Sequence, residues 1–141
     1  MPEETTPPEV SPPTIFLIEE DDHVRPLLKG SLRQRGYRVL VAADFEDALE
    51  WVRADGHLSP DLVLINLVGK TPEETLRAGR VLRQHAKYDG HTPLVVIPED
   101  VPAEYEGTDD NVSGNEWVCY YGEESEQLQA LISRLLNRPP S

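Results

Sequence analysis

The hydropathy of this chain changes period as it runs, and that alternation constrains the fold more than any single motif. Short apolar runs at 14–18 (TIFLI), 37–43 (YRVLVAA), 61–66 (DLVLIN), 92–98 (TPLVVIP) and 116–121 (EWVCYY) read as strands, the first and third apolar enough for burial on both faces. Between them the spacing is helical. Val24, Leu27, Leu28 and Leu32 recur up to Gly36, which suits a helix end, and Pro26 is tolerated in the first turn. Phe45, Ala48, Leu49 and Val52 carry a second apolar stripe, capped by Asp44 and ending near Gly56. Thr71-Pro72-Glu73-Glu74 opens a third helix over 72–85 as N-cap, first-turn proline and capping-box glutamate. Leu128, Leu131, Ile132, Leu135 and Leu136 mark a last helix over 124–137. Such alternation predicts an α/β fold with a doubly wound parallel sheet, flanking helices and a site at the carboxyl ends of the strands. One link breaks the rhythm. The stretch 99–115 (EDVPAEYEGTDDNVSGN) is so poor in helix formers that the helix between the fourth and fifth strands is expected to be short or missing.

The 141 residues suit one domain, expected over 14–138, with a Pro/Glu-rich disordered tail at 1–13 and a disordered end at 139–141. A formal charge of −13, from 26 acids and 13 bases, repels nucleic-acid backbones and anionic membranes. Partners are therefore expected to be basic proteins or cations. Cys119 is the one cysteine, no apolar run is long enough to span a bilayer, and the N-terminus has no signal-peptide pattern. A cytoplasmic location is expected.

Several chemistries are excluded by spacing. Gly69-Lys70-Thr71 resembles the end of a phosphate loop, but the required earlier glycine falls on Leu64, and Thr71 is accounted for as a helix cap. His23, His57, His85 and His91 do not stand at metal-ligand spacing with one another or with Cys119. There is no Gly-X-Ser-X-Gly and no catalytic Cys/His pattern. What remains is acidic. Glu19 and Glu20 end the first strand and Asn66 ends the third, so they are expected to converge at one sheet edge; Asp21 and Asp22 read as a turn, with Asp22 capping the first helix.

These segments (TIFLIEEDDHVRPLLKGSLRQRGYRVLVAADFEDALEWV, PDLVLINL, TPLVVIP and SGNEWVCYY) resemble the receiver domain of bacterial two-component response regulators over 14–138. The resemblance implies a five-stranded parallel sheet in the CheY-like order 2-1-3-4-5, and Mg²⁺-dependent phosphoryl transfer onto an aspartate. The residues depart from that chemistry. The family's metal-binding acid pair falls on Glu19 and Glu20, whose longer arms would hold Mg²⁺ only weakly. Its phosphoacceptor falls on Asn66, and an amide nitrogen is no nucleophile. Its switch Ser/Thr falls on Pro98, which has neither hydroxyl nor backbone donor, and its lysine on Tyr120, followed by Tyr121 in place of a proline. With acceptor, switch and cation all replaced, the expectation is a pseudo-receiver with no enzymatic activity and no required cofactor.

A function independent of phosphorylation would then rest on surfaces. Receivers signal through the face formed by their fourth helix, fifth strand and fifth helix; here 99–126 carries ten acids and no lysine or arginine. That face is expected to dock a protein with a basic surface, with Glu104, Asp109 and Asp110 as charges and Trp117, Tyr120 and Tyr121 as aromatic anchors. Bases gather elsewhere, at Arg25, Lys29, Arg33, Arg35 and Arg38 and at Arg77, Arg80, Arg83 and Lys87, so an acid-to-base contact between two copies is a second expectation. A stand-alone module in bacterial signalling, with no effector domain after Ser141 unless the sequence is part of a longer chain, is expected. The alternative is a cation or small-ligand sensor using a pocket of Glu19, Glu20 and Asn66; a degraded but active receiver is the third reading. The amide of Asn66 is expected to hydrogen-bond beside Glu20 and hold the site in one conformation.

Overall fold

The structure, a computed structural model, describes residues 12–54, 59–86, 92–98, 101–120 and 126–136. The chain runs β1 (Thr14–Glu19), α1 (Val24–Gln34), β2 (Arg38–Ala42), α2 (Phe45–Ala54), β3 (Leu62–Asn66), α3 (Pro72–Ala86), β4 (Leu94–Val96), a 3₁₀ turn (Ala103–Tyr105), β5 (Thr108–Ser113), β6 (Glu116–Tyr120) and α4 (Glu126–Leu136). The sheet order is β2-β1-β3-β4-β6-β5. Its first five strands pair in parallel, while β5 runs antiparallel to β6.

The expected parallel order is therefore present, but the sheet has six strands rather than five. The segment between β4 and β6 holds a single 3₁₀ turn and an edge strand where a fourth receiver helix would lie. The cause is local. Thr108, Asp109, Asp110, Asn111 and Val112 are weak helix formers, and Gly114-Asn115 is a two-residue hairpin link, with Gly114 at φ 47. The register slips by one between Asn111 and Ser113, a bulge that leaves Val112 as the extra residue.

The two faces of the sheet make two cores. Phe16, Ile18, Val63, Ile65 and Val96 meet Leu49, Val52, Leu76 and Leu82 of α2 and α3. Ile15, Leu17, Leu62, Leu64 and Val95 meet Leu28, Leu32, Leu128, Leu131 and Ile132 of α1 and α4. Strands buried on both sides have no polar face to show, which is why they read as unbroken apolar runs. α3 approaches the sheet closely at Gly79, where an added Cβ would sit 2.6 Å from Leu94 Cδ1.

Helix starts follow the capping chemistry, with one change. Thr71 and Glu74 form the reciprocal box: Glu74 N–H donates to Thr71 Oγ1 (3.1 Å) and Thr71 N–H to Glu74 Oε1 (2.9 Å). That amide holds the Glu74 carboxyl below its usual range. Asp44 Oδ1 accepts the Asp47 N–H at 2.8 Å. At α1 the N-cap position is His23, without a side-chain bond of its own, and the carboxylate that serves the entering N–H groups is that of Asp21 and not Asp22. Asp21 Oδ1 accepts the N–H groups of His23 (2.8 Å) and Val24 (3.1 Å), which hold its pKa down, whereas Asp22 pairs with Arg25 Nη2 at 2.6 Å.

Candidate functional site

Parallel pairing of β1 with β3 sets Glu19 beside Asn66 at the carboxyl edge. Both are buried, Glu19 at 0% and Asn66 at 6% exposure, so each side chain must find polar partners. Asn66 Nδ2 donates to Glu19 Oε2 at 2.6 Å, and the Asp21 N–H donates to the same oxygen at 3.0 Å. Arg25 Nη1 donates to the Glu19 carbonyl at 2.9 Å, which ties α1 to the strand end.

Glu20 is turned to other work. Its N–H donates to the Asn66 carbonyl (3.3 Å) and its Oε1 accepts the Val68 N–H (2.8 Å), so it fastens the loop after β3 to the end of β1. The amide of Asn66 therefore pairs with Glu19 and not with Glu20. Successive residues of a strand point to opposite faces, and the register puts Glu19 opposite Asn66.

The resemblance to receivers implies Mg²⁺ here, and the donors at this edge do not fit it. A hard divalent cation needs several converging oxygens, but a donating amide nitrogen points at Glu19 Oε2, and Glu20 Oε1 is engaged by a backbone N–H. Among the described residues no group of three His, Cys, Asp or Glu side chains stands ready to hold a metal. The arrangement is a hydrogen-bonded lock.

The positions expected in place of the switch residue and the lysine close the neighbouring strands β4 and β6. Pro98 follows β4 and is half-buried. Tyr120 ends β6, also half-buried; its ring stacks on Tyr105 with centroids 5.2 Å apart and planes at 32°. Burial, with Asp110 and Tyr105 nearby, pushes its phenol pKa up. Tyr121 lies outside the described residues.

On the acidic segment the charges divide into two kinds. Glu104 and Asp110 are exposed, Glu104 on the 3₁₀ turn and Asp110 on β5. Asp109 faces α4, 3.7 Å from Arg134 Nη2, and the same guanidinium lies 5.4 Å from the ring centre of half-buried Trp117. Glu116 is internal. Arg80 donates to it from Nε (3.0 and 3.1 Å) and Nη2 (2.6 Å), Arg83 adds a second guanidinium, and these pairings, that with Arg80 foremost, hold the Glu116 carboxyl below its usual range. No sequence pattern marks this cluster, because its members lie 33 and 36 residues apart. It offsets one of the positive charges expected on α3, where Arg80 stays exposed, and Lys87 lies outside the described residues.

One further feature borders β5. A cleft of about 280 Å³ opens between the start of α3 and the β5–β6 hairpin, lined by Thr71, Pro72, Glu73, Leu76, Asp110, Val112, Val118 and Tyr120. No helix of the described residues is long and apolar enough to cross a membrane.

Comparison with solved structures places this architecture among receivers. The chain is similar to a response regulator receiver protein from Sinorhizobium medicae, with TM-score 0.67 and 21% identity over 89% of this chain and 95% of that one. It is similar to the response regulator TrrA of Thermotoga maritima, solved with Mg²⁺ and BeF, at TM-score 0.62 and 19% identity over 88% and 99%. A Vibrio cholerae chemotaxis protein of the CheY type matches at TM-score 0.64 and 18% identity over 89% and 99%. In sequence, a segment of 56 residues is 39% identical to the transcriptional regulatory protein AfsQ1 of Streptomyces coelicolor, spanning 40% of this chain and 24% of that protein. No protein-family model matches the chain.

Proposed function

We propose that this chain, which has the α/β fold of two-component receiver domains, is a pseudo-receiver: a phosphorylation-independent protein-interaction module in bacterial signalling. The observation that carries the reading is the 2.6 Å hydrogen bond from Asn66 Nδ2 to Glu19 Oε2. It fills the place of the phosphoacceptor with a donor, and a carboxamide can neither attack a phosphoryl donor nor contribute the anionic charge that assembles the cation. Pro98 offers no hydroxyl and Tyr120 no positive charge to stabilise the transferring phosphoryl group. Phosphoryl transfer therefore has no acceptor and no stabiliser.

The remaining activity is docking, through the acidic surface of 99–126, of a protein with a basic surface. Exposed Glu104 and Asp110 support this, since complementary charge speeds encounter and selects partners. The test has two parts. Incubation with acetyl phosphate and Mg²⁺, followed by intact-mass measurement, is expected to leave the protein unmodified; a phosphoryl adduct would end the pseudo-receiver reading. Affinity capture is expected to lose its bound protein when Glu104, Asp109 and Asp110 are neutralised together. Equal recovery by both forms would sink the docking surface.

A further inference from the structure

Among the described residues the sheet ends on a strand with no further neighbour. β5 pairs with β6 along one side and is the last strand in the order, so alternate backbone N–H and C=O groups over 108–111, ahead of the bulge, point away from the sheet. Five of those residues are exposed, and Asp109, the other, faces Arg134 on the α4 side. Across the strand, Asp110 and Val112 face the cleft together with Val118, Tyr120 and Leu76. Val112 is 43% exposed. Among the described residues, neither Asp110 nor Glu73 at the cleft rim has an ion-pair partner.

An open edge of this length pairs with whatever extended chain it does not repel. A second copy of β5 brings Asp109 and Asp110 alongside the same acids, and like charges across strands are destabilising. An extended segment with lysine or arginine reverses the sign. Asp110 and the bulged Val112 line the same cleft, so a strand laid against β5 sets one residue beside Asp110 and, about two positions further on, another beside Val112. The first position calls for a cation and the second for an apolar group that enters the cleft.

We propose that β5 is a β-addition edge that receives an extended segment of a partner protein carrying a basic and an apolar residue two positions apart. This rests on the reading of 99–126 as a docking surface and specifies how the partner is held: main-chain hydrogen bonds supply affinity, and the Asp110–Val112 face selects the sequence.

The probe is a capped peptide, Thr-Lys-Thr-Val-Thr-Lys-Thr, compared with its fully N-methylated counterpart, which keeps every side chain and charge but lacks the backbone donors. Titrations are followed by NMR and amide exchange on the full chain. The unmodified peptide is expected to shift the amides of 108–113 and slow their exchange, to bind about tenfold or more tighter than the N-methylated one, and to weaken several-fold against Asp110→Asn. Equal binding of the two peptides overturns β-addition while leaving acidic docking intact. Shifts that bypass 108–113 overturn it in the same way. Failure of both peptides to bind at millimolar concentration overturns the β-addition edge, and the separate capture experiment with neutralised Glu104, Asp109 and Asp110 decides the docking surface itself.

Discussion

Replacing Asn66 by aspartate is the most informative single change, because it tests the lock and the chemistry at once. In the wild-type chain the amide donates to a buried carboxylate at 2.6 Å. Asn66→Asp removes the donor and sets a second carboxylate in its place. Two unit charges about 3 Å apart repel by about 5 kcal/mol at an effective dielectric near 20. The pair has a cheaper escape, which is to bind one proton and share it. Near pH 7, protonating a carboxyl of ordinary pKa near 4 costs about 4 kcal/mol, at about 1.4 kcal/mol per pH unit. Protonation is the smaller cost and sets the ceiling, so the variant is expected to lose about 4 kcal/mol near pH 7. The sign follows from the raised folded-state pKa. A carboxyl that binds its proton more tightly in the folded chain is not penalised below its unfolded pKa, near 4, and the penalty grows as pH rises toward the folded value. Urea unfolding, followed by tryptophan fluorescence from about pH 4.5 to about 7.5, should show wild type and variant converging at the acid end and separating above it. An unchanged midpoint near pH 7, or a deficit independent of pH, would mean that residue 66 does not face Glu19. Acetyl phosphate should leave the variant unlabelled, since Pro98 and Tyr120 still lack the groups that stabilise transfer.

Three further outcomes follow from the same geometry. Glu116→Gln should cost about 1–3 kcal/mol by weakening the hydrogen bonds from Arg80 and Arg83. The lowered pKa of Glu116 stabilises the fold above the unfolded value and is lost as pH falls through the folded one, so the variant's deficit should shrink on acidification, in urea midpoints measured below about pH 4.5. Cys119 is fully buried, and burial followed by the charge of Asp109 pushes its thiol up to about 12; alkylation by iodoacetamide should be negligible in the folded chain, and rapid labelling in native buffer would contradict the burial. Millimolar Mg²⁺ or Ca²⁺ should leave the fluorescence of Trp51 and Trp117 unchanged, because the Asn66 donor and the Glu20–Val68 contact use the groups a cation would need; a saturable response would favour the sensor alternative.

The sequence disclosed the parallel part of the sheet because strands buried on both faces and helices buried on one have distinct periods. It disclosed the Glu19–Asn66 neighbourhood because both residues close apolar runs. Which acid meets the amide was not legible, since two adjacent acids at a strand end differ only in the face they take, and inter-strand register decides it. The edge strand was missed for a different reason. Thr108–Ser113 is polar and exposed, so it lacks the alternation that a half-buried strand displays. The available signal was Gly114-Asn115 between Asn111-Val112-Ser113 and Glu116-Trp117-Val118, a two-residue link typical of hairpins. The capping carboxylate of Asp21 was missed because neighbouring aspartates are equally able acceptors, and only backbone geometry separates them.

The two departures from the receiver pattern bear on each other. A receiver that switches needs a site with two states and a face able to answer them. Here the site is held by a buried amide–carboxylate bond, and Glu20 ties β1 to the loop after β3 through Val68. Where receivers carry a fourth helix, this chain carries β5, a strand bonded along β6 and covered on one side by the Asp109–Arg134 contact. A helix packed on a sheet can slide or rotate in small steps, whereas a strand in a ladder moves only by breaking backbone hydrogen bonds or slipping register, which turns its side chains to the other face. Under the proposed function, then, the surface around Asp110 and Val112 is presented continuously. Regulation would lie in the supply of the partner's basic segment, and the N-methylated peptide comparison is the measurement on which that conclusion depends.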